Sequence, residues 1–123
     1  MHAAELIWNS WENGQKIVSL PKKLIPSSRK EAYKIQENLE KFSNDIIVGW
    51  KIAATSKEGQ KHIGVGGPLA GRILYNKLYV PEDTLIFGHN KMAVAEPEFA
   101  FKIGETFKPT KTFHNLEDVM KLV

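Results

Sequence analysis

A chain of 123 residues with 17 lysines and arginines against 14 aspartates and glutamates has a formal charge of +3, and it contains no cysteine. Disulfides and thiolate metal sites are excluded, which fits a reducing, cytoplasmic setting. The basic residues are dispersed, with Lys22-Lys23 and Arg29-Lys30 the adjacent basic pairs, so nucleic acid is not an expected partner. No apolar run has membrane-spanning length and Met1-His2-Ala3-Ala4-Glu5 lacks signal-peptide character, so no membrane partner is expected either.

The length suits a single domain over 1–123. The first helix is predicted over 3–12, because Ala4, Ile7, Trp8 and Trp11 share one helical face. Asn13-Gly14 is its stop, with Gly14 suited to a left-handed cap. The two tryptophans read as core or partner contact rather than as a ligand box. Residues 17–20 suggest a short extended piece, and Pro21 and Pro26 bracket a loop. Ser28-Arg29-Lys30-Glu31 is a capping box that opens a second helix. Its inward stripe is Ala32, Ile35, Gln36, Leu39 and Phe42, flanked by Tyr33, and Asn44-Asp45 ends it. Residues 1–45 are thus the helical part and 46–123 the β-rich part.

A strand is predicted over 46–53, with Ile46, Val48, Trp50 and Ile52 on one face. The other face carries Ile47, Gly49, Lys51 and Ala53. Lys51 lies mid-strand between small neighbours, where it either snorkels to the surface or faces anionic partners as a partly buried cation. Thr55-Ser56-Lys57-Glu58 is a second capping box, predicting a short helix to about His62. The glycine-rich loop 63–71 matches neither a phosphate loop nor a dinucleotide fingerprint. Its glycines, Gly66 and Gly67 among them, permit close backbone approach to a small ligand. Short strands are expected over 72–75, 78–80 and 84–87, with turns at Asn76-Lys77, Pro81-Glu82-Asp83 and Gly88-His89-Asn90.

Residues 93–103 then read as a strand. Ala95, Pro97, Phe99, Phe101 and Ile103 form its core face. Val94, Glu96, Glu98 and Ala100 form the other, with the two carboxylates ~7 Å apart along the strand. Such oxygen donors suit Mg²⁺, Mn²⁺ or Ca²⁺. Pro97 lacks an N–H, which puts this part at an edge, a bulge or a mouth. By themselves these residues fit a solvated edge with two surface glutamates better than a metal site. Asn115 caps a last helix with Asp118 three residues on and Leu116, Val119, Met120 and Val123 as its apolar side. It has no stop signal, so the chain is expected to end within it. His2, His62, His89 and His114 lack metal-binding spacing, and no nucleophile-elbow motif is present.

Together, Val48-Gly49-Trp50-Lys51-Ile52-Ala53-Ala54-Thr55-Ser56, Gln60, Gly64-Val65, Gly67-Pro68-Leu69-Ala70-Gly71-Arg72-Ile73-Leu74 and Glu96-Pro97-Glu98-Phe99-Ala100-Phe101 resemble the 2-keto-4-pentenoate hydratase and 4-oxalocrotonate decarboxylase branch of the fumarylacetoacetate hydrolase superfamily. Glu31-Ala32-Tyr33-Lys34-Ile35-Gln36 is similar to a helix motif of that branch. The resemblance implies an α+β fold: two N-terminal helices, then the short strands of a β-roll, truncated within the final helix. It implies a metal-dependent lyase acting on small 2-oxo or 2-hydroxydienoate acids of aromatic catabolism. Glu96 and Glu98 become ligands of Mg²⁺ or Mn²⁺, Lys51 an active-site lysine, and Gly66 and Gly67 part of the substrate-binding loop. The ion would stabilise an enolate as a Lewis acid, and Lys51 would place charge near the acid or assist proton transfer. A homo-oligomer is implied as well.

The chain matches the N-terminal portion of a family member. The family's third acidic ligand would follow the helix begun at Asn115 and is expected to be absent from this chain. Leu69 stands where characterised hydratases and decarboxylases tend to carry aspartate, so decarboxylation or tautomerisation at the same site stays open beside hydration. The alternative of another class is a truncated, non-catalytic, self-associating domain, since an unfinished β-roll exposes strand edges and apolar faces.

Overall fold

The computed structural model describes residues 2–86, 88, 91–108 and 114–123. The chain forms two compact units, Met1–Ala93 and Val94–Val123, and each is taken by itself. Over the described residues the fold is α+β, with four α-helices and one two-stranded antiparallel sheet.

In the first unit, α1 (Ala3–Glu12) begins beside Glu5, whose carboxylate accepts the His2 N–H at 3.2 Å. It ends where Gly14 takes φ +58°, a conformation glycine adopts without a Cβ clash. Its inner face supplies Ala3, Ala4 and Trp8, which are buried together with Leu74. Trp11 meets Trp8 edge-to-face, their ring centroids 5.5 Å apart, a favoured aromatic geometry. Next, α2 (Arg29–Ser43) packs against α1. Ser28 caps it, its Oγ accepting the Glu31 N–H at 3.2 Å. The Glu31 carboxylate reaches back one residue further than a capping box requires. It accepts the Ser27 N–H at 2.7 Å and the Ser27 hydroxyl at 2.9 Å. Those two bonds, the backbone one foremost, hold the Glu31 carboxyl below its ordinary pKa.

Asn44, in the left-handed region at φ +50°, closes α2. Asp45 then accepts the N–H groups of Ile46 and Asn76, each at 2.8 Å. This one carboxylate ties the entry of β1 (Ile47–Ala53) to the turn after β2 (Leu69–Leu74). The strands pair with Trp50 opposite Arg72, Lys51 opposite Gly71 and Ile52 opposite Ala70, and the register shifts between Ile47 and Gly49. Between them lies α3 (Lys57–Ile63).

Helix α2 fastens the sheet through polar side chains. The Tyr33 hydroxyl accepts the Ala70 N–H at 3.0 Å, and Gln36 Nε2 donates to the Ala70 carbonyl at 3.1 Å. Arg72 donates to Gln36 Oε1 at 2.8 Å and pairs with Glu40, while Arg29 donates to the Pro68 carbonyl. Residues 29, 33, 36 and 40 are spaced as one helical row. This row, not the apolar stripe alone, faces β2. The Ala70 N–H, and after it the Arg29 side chain, hold the Tyr33 phenol below its ordinary pKa.

Several expectations are corrected here. Ala32 and Phe42 are exposed, because the helix meets the sheet along the polar row. The face of Ile46, Val48, Trp50 and Ile52 is exposed as well. Residues 78–80 and 84–86 form no ladder; instead Val80 and Asp83 close a turn, with the Val80 N–H on Asp83 Oδ2 at 2.8 Å. Phe87, His89 and Asn90 lie outside the described residues. In the second unit no strand forms over 93–103. Pro97 has no N–H to give a ladder, and the described residues of that unit contain no strand to pair with. Phe99, expected in a core, is 98% exposed. The unit's helix, α4 (Leu116–Met120), is capped as expected: Asn115 Oδ1 accepts the Asp118 N–H at 2.8 Å. It closes at Met120 rather than running to Val123, and the following turn brings the Leu122 carbonyl onto the Gly104 N–H at 2.7 Å.

Two outcomes follow from the helix–sheet contact and the cap. Gln36→Met removes both the donor to Ala70 and the acceptor for Arg72, and should cost about 1–2 kcal/mol in urea unfolding; an unchanged midpoint would contradict the contact. Glu31 has a depressed folded-state pKa, so its contribution is present above the ordinary carboxylate range and is lost as pH falls through the folded value. Glu31→Gln should therefore show a shallower acid-induced loss of stability than the parent, and superimposable acid limbs would count against the Ser27 bonds.

Candidate functional site

Lys51 lies at the middle of β1, half-buried, on the face shared with Gly49, Ala53 and the cross-strand Gly71. The immediate neighbours carry no more than a methyl group, and Leu69 and Ile73, opposite Ala53 and Gly49, flank Lys51 on the same face. Neither glycine is demanded by packing within the chain. A Cβ at Gly49 would meet Ile73 at 3.8 Å and one at Gly71 the Lys51 carbonyl at 3.9 Å, both ordinary contacts.

The strand ends in a strained turn. Ala54 has φ +54°, which costs a residue bearing a Cβ about 1–2 kcal/mol. Gln60, buried at 7% exposure, offsets this by donating from Nε2 to the Ala54 carbonyl at 3.0 Å. The cap of α3 is Ser56, not Thr55, and its Oγ accepts the Gly59 N–H at 3.0 Å. A Cβ at Gly59 would lie 3.3 Å from that oxygen, so glycine suits the third helical position. The helix ends at Gly64 with φ +72°. The Lys51 strand, the Ala54 turn and α3 thus form one continuous support. Gln60 is its polar keystone, and only the motif resemblance singles Gln60 out in the sequence.

Gly66 and Gly67 follow in the loop leading into β2. A Cβ at Gly66 would meet no atom within 4 Å, and one at Gly67 would meet only the flexible end of Arg29 at 3.6 Å. Their lack of side chains leaves the Gly66 main chain accessible, and Arg29, bonded to Pro68, anchors the loop. The structure therefore brings Lys51 and this loop onto the same hairpin-like pair of strands.

Glu96 and Glu98 belong to the second unit, where both are exposed. Pro97 between them fixes its own φ and biases Glu96 towards extended backbone. Two carboxylates of this kind are hard oxygen donors, and their chemistry fits part of the shell of Mg²⁺ or Mn²⁺. Among the described residues no group of three or more histidines, aspartates and glutamates is placed to hold a metal ion. Nor is any described helix long and apolar enough to cross a membrane.

No protein-family model matches the chain, and no curated protein and no solved structure matches it.

Gln60 provides the local test of this support. Gln60→Met keeps the volume but leaves the Ala54 carbonyl without its side-chain donor, and should cost about 1–3 kcal/mol of stability. The same substitution should speed amide exchange at Ala53 and Thr55; unchanged exchange there would show that the turn does not depend on Gln60.

Proposed function

We propose that this chain carries site residues of a metal-dependent, hydratase-like lyase that acts on a small 2-oxo or 2-hydroxydienoate acid, on a fumarylacetoacetate-hydrolase-like β-roll. The observation that supports it best is the pairing of Lys51 with Gly71, which sets two of the resembling motifs side by side on neighbouring strands. Glu96 and Glu98 would hold Mg²⁺ or Mn²⁺, and the ion, when bound, would polarise the 2-oxo group of the acid. Lys51 would place a positive charge near the substrate acid or assist proton transfer. The accessible main chain at Gly66 and Gly67 lets a small acid lie close to the strand pair. Leu69 has no proton to transfer, so the same residues serve decarboxylation or tautomerisation as readily as hydration.

A second reading, a non-catalytic self-associating domain, is favoured by one observation. The face of Ile46, Val48, Trp50 and Ile52 is 65%, 41%, 53% and 45% exposed, a run of apolar surface of the kind found at interfaces. In that reading the partner is a second copy of the chain.

Calorimetric titration of the chain with Mn²⁺ in the presence of oxalate, a 2-oxo acid mimic, separates the two. The lyase reading predicts weak, oxalate-dependent binding with Kd on the order of 1 mM, because two carboxylates fill only part of the ion's shell. Glu96→Ala and Glu98→Ala should each abolish it. Heats that are absent, or indifferent to both glutamates, overturn the lyase reading. Concentration-dependent association that Trp50→Ser removes would then support the second.

A further inference from the structure

We propose that the sheet face opposite Lys51 holds a separate binding site for a small aromatic carboxylate. Trp50 and Lys51 are consecutive on β1, so their side chains leave the strand on opposite faces. On the Trp50 face, α2 and the strand pair border an open groove of about 480 Å³ lined by Lys30, Tyr33, Lys34, Glu37, Trp50 and Arg72. That volume lies within the usual range for small-molecule sites.

Its chemistry is that of an anion with a flat apolar body. The lining carries three cations, Lys30, Lys34 and Arg72, and one carboxylate, Glu37, while Arg72 is also paired with Glu40 just outside it. Lys30 and Lys34 are one helical turn apart and form no ion pair with the described residues. Like charges at this spacing repel by a few tenths of a kcal/mol, and an anion placed between them relieves that repulsion. Arg72 is the fixed member of the three. Its side chain is only 18% exposed and is held by Glu40 and Gln36, with the guanidinium carbon 4.8 Å from the Trp50 ring centroid. The guanidinium thereby orients an indole that is 53% exposed, and Tyr33 supplies a second ring. The half-exposed indole favours a planar ligand through stacking, and the cations select a carboxylate on it. The site uses neither Glu96, Glu98 nor Lys51, so it stands or falls independently of the lyase reading.

The test is an NMR titration of the whole chain, following the Trp50 indole N–H, which Trp50→Phe identifies among the three tryptophans. Benzoate is the probe, with cyclohexanecarboxylate and inorganic phosphate as comparisons. Expected is a saturable shift with Kd on the order of 1 mM, at least about fivefold weaker for cyclohexanecarboxylate, and weaker still for phosphate. K30Q/K34Q should weaken benzoate about tenfold, while K57Q/K61Q, a lysine pair on α3 that does not line the site, should leave it unchanged. Glu37→Gln should tighten it, an opposite change that a merely misfolded variant does not produce. A shift that does not saturate overturns the site, as does equal affinity for cyclohexanecarboxylate or phosphate. Indifference to K30Q/K34Q, or equal weakening in K57Q/K61Q, does the same.

Discussion

The first unit depends on how the outer edge of β2 is closed. A two-stranded sheet is marginal by itself, and among the described residues no third strand pairs with it. At Ala70 both main-chain groups are taken by α2, the N–H by the Tyr33 hydroxyl and the carbonyl by Gln36. The bonds continue outward, from Gln36 to Arg72 and from Arg72 to Glu40. One helical row thus replaces the missing third strand and sets the height of the helix over the sheet. Lys51, opposite Gly71, takes its place from the same register.

Polar closure matters because the apolar core is small. Ala3, Ala4, Trp8 and Leu74 are its buried hydrophobic members among the described residues. Ala3, Ala4 and Trp8 belong to α1, which packs against α2, and Leu74 is the last residue of β2. The sheet's apolar face is left exposed at Trp50 and Ile52, and in the second unit Phe99 and Phe101 are exposed in turn. With so little apolar burial to position α2, a row of hydrogen bonds and one ion pair fixes its rotation. Directional bonds of this kind contribute more to orientation than to net stability.

What could be read from the sequence is what local chemistry decides. The bounds of α1 follow from its apolar face and from Gly14, the start of α2 from Ser28, β1 from its β-branched and aromatic run, and the start of α4 from Asn115. What could not be read depends on partners distant in the chain. The strand pattern at 93–103 is locally sound, but a ladder needs a neighbour, and none is found among the described residues of its unit. Of the predicted α2 stripe, Ile35, Gln36 and Leu39 are half-buried while Ala32 and Phe42 are exposed, and the polar row 29, 33, 36, 40 acquires meaning only once Ala70 lies beside it. Ser56 displaced Thr55 as a cap because Gly59 three residues on has no side chain to crowd the serine oxygen. Of the candidate site, the sequence indicated Lys51, Gly66, Gly67, Glu96 and Glu98. Lys51 lies on β1 and the two glycines in the loop that leads into β2, and the glutamates lie in the other unit.

The claim that α2 side chains close the β2 edge is tested most directly by amide hydrogen exchange at Ala70. Its N–H should be protected well beyond that of exposed loop amides, and Tyr33→Phe, which removes only the accepting oxygen, should reduce that protection selectively while amides bonded between β1 and β2 keep theirs. Exchange at Ala70 as fast as in the loops, or protection unaffected by Tyr33→Phe, would contradict the account.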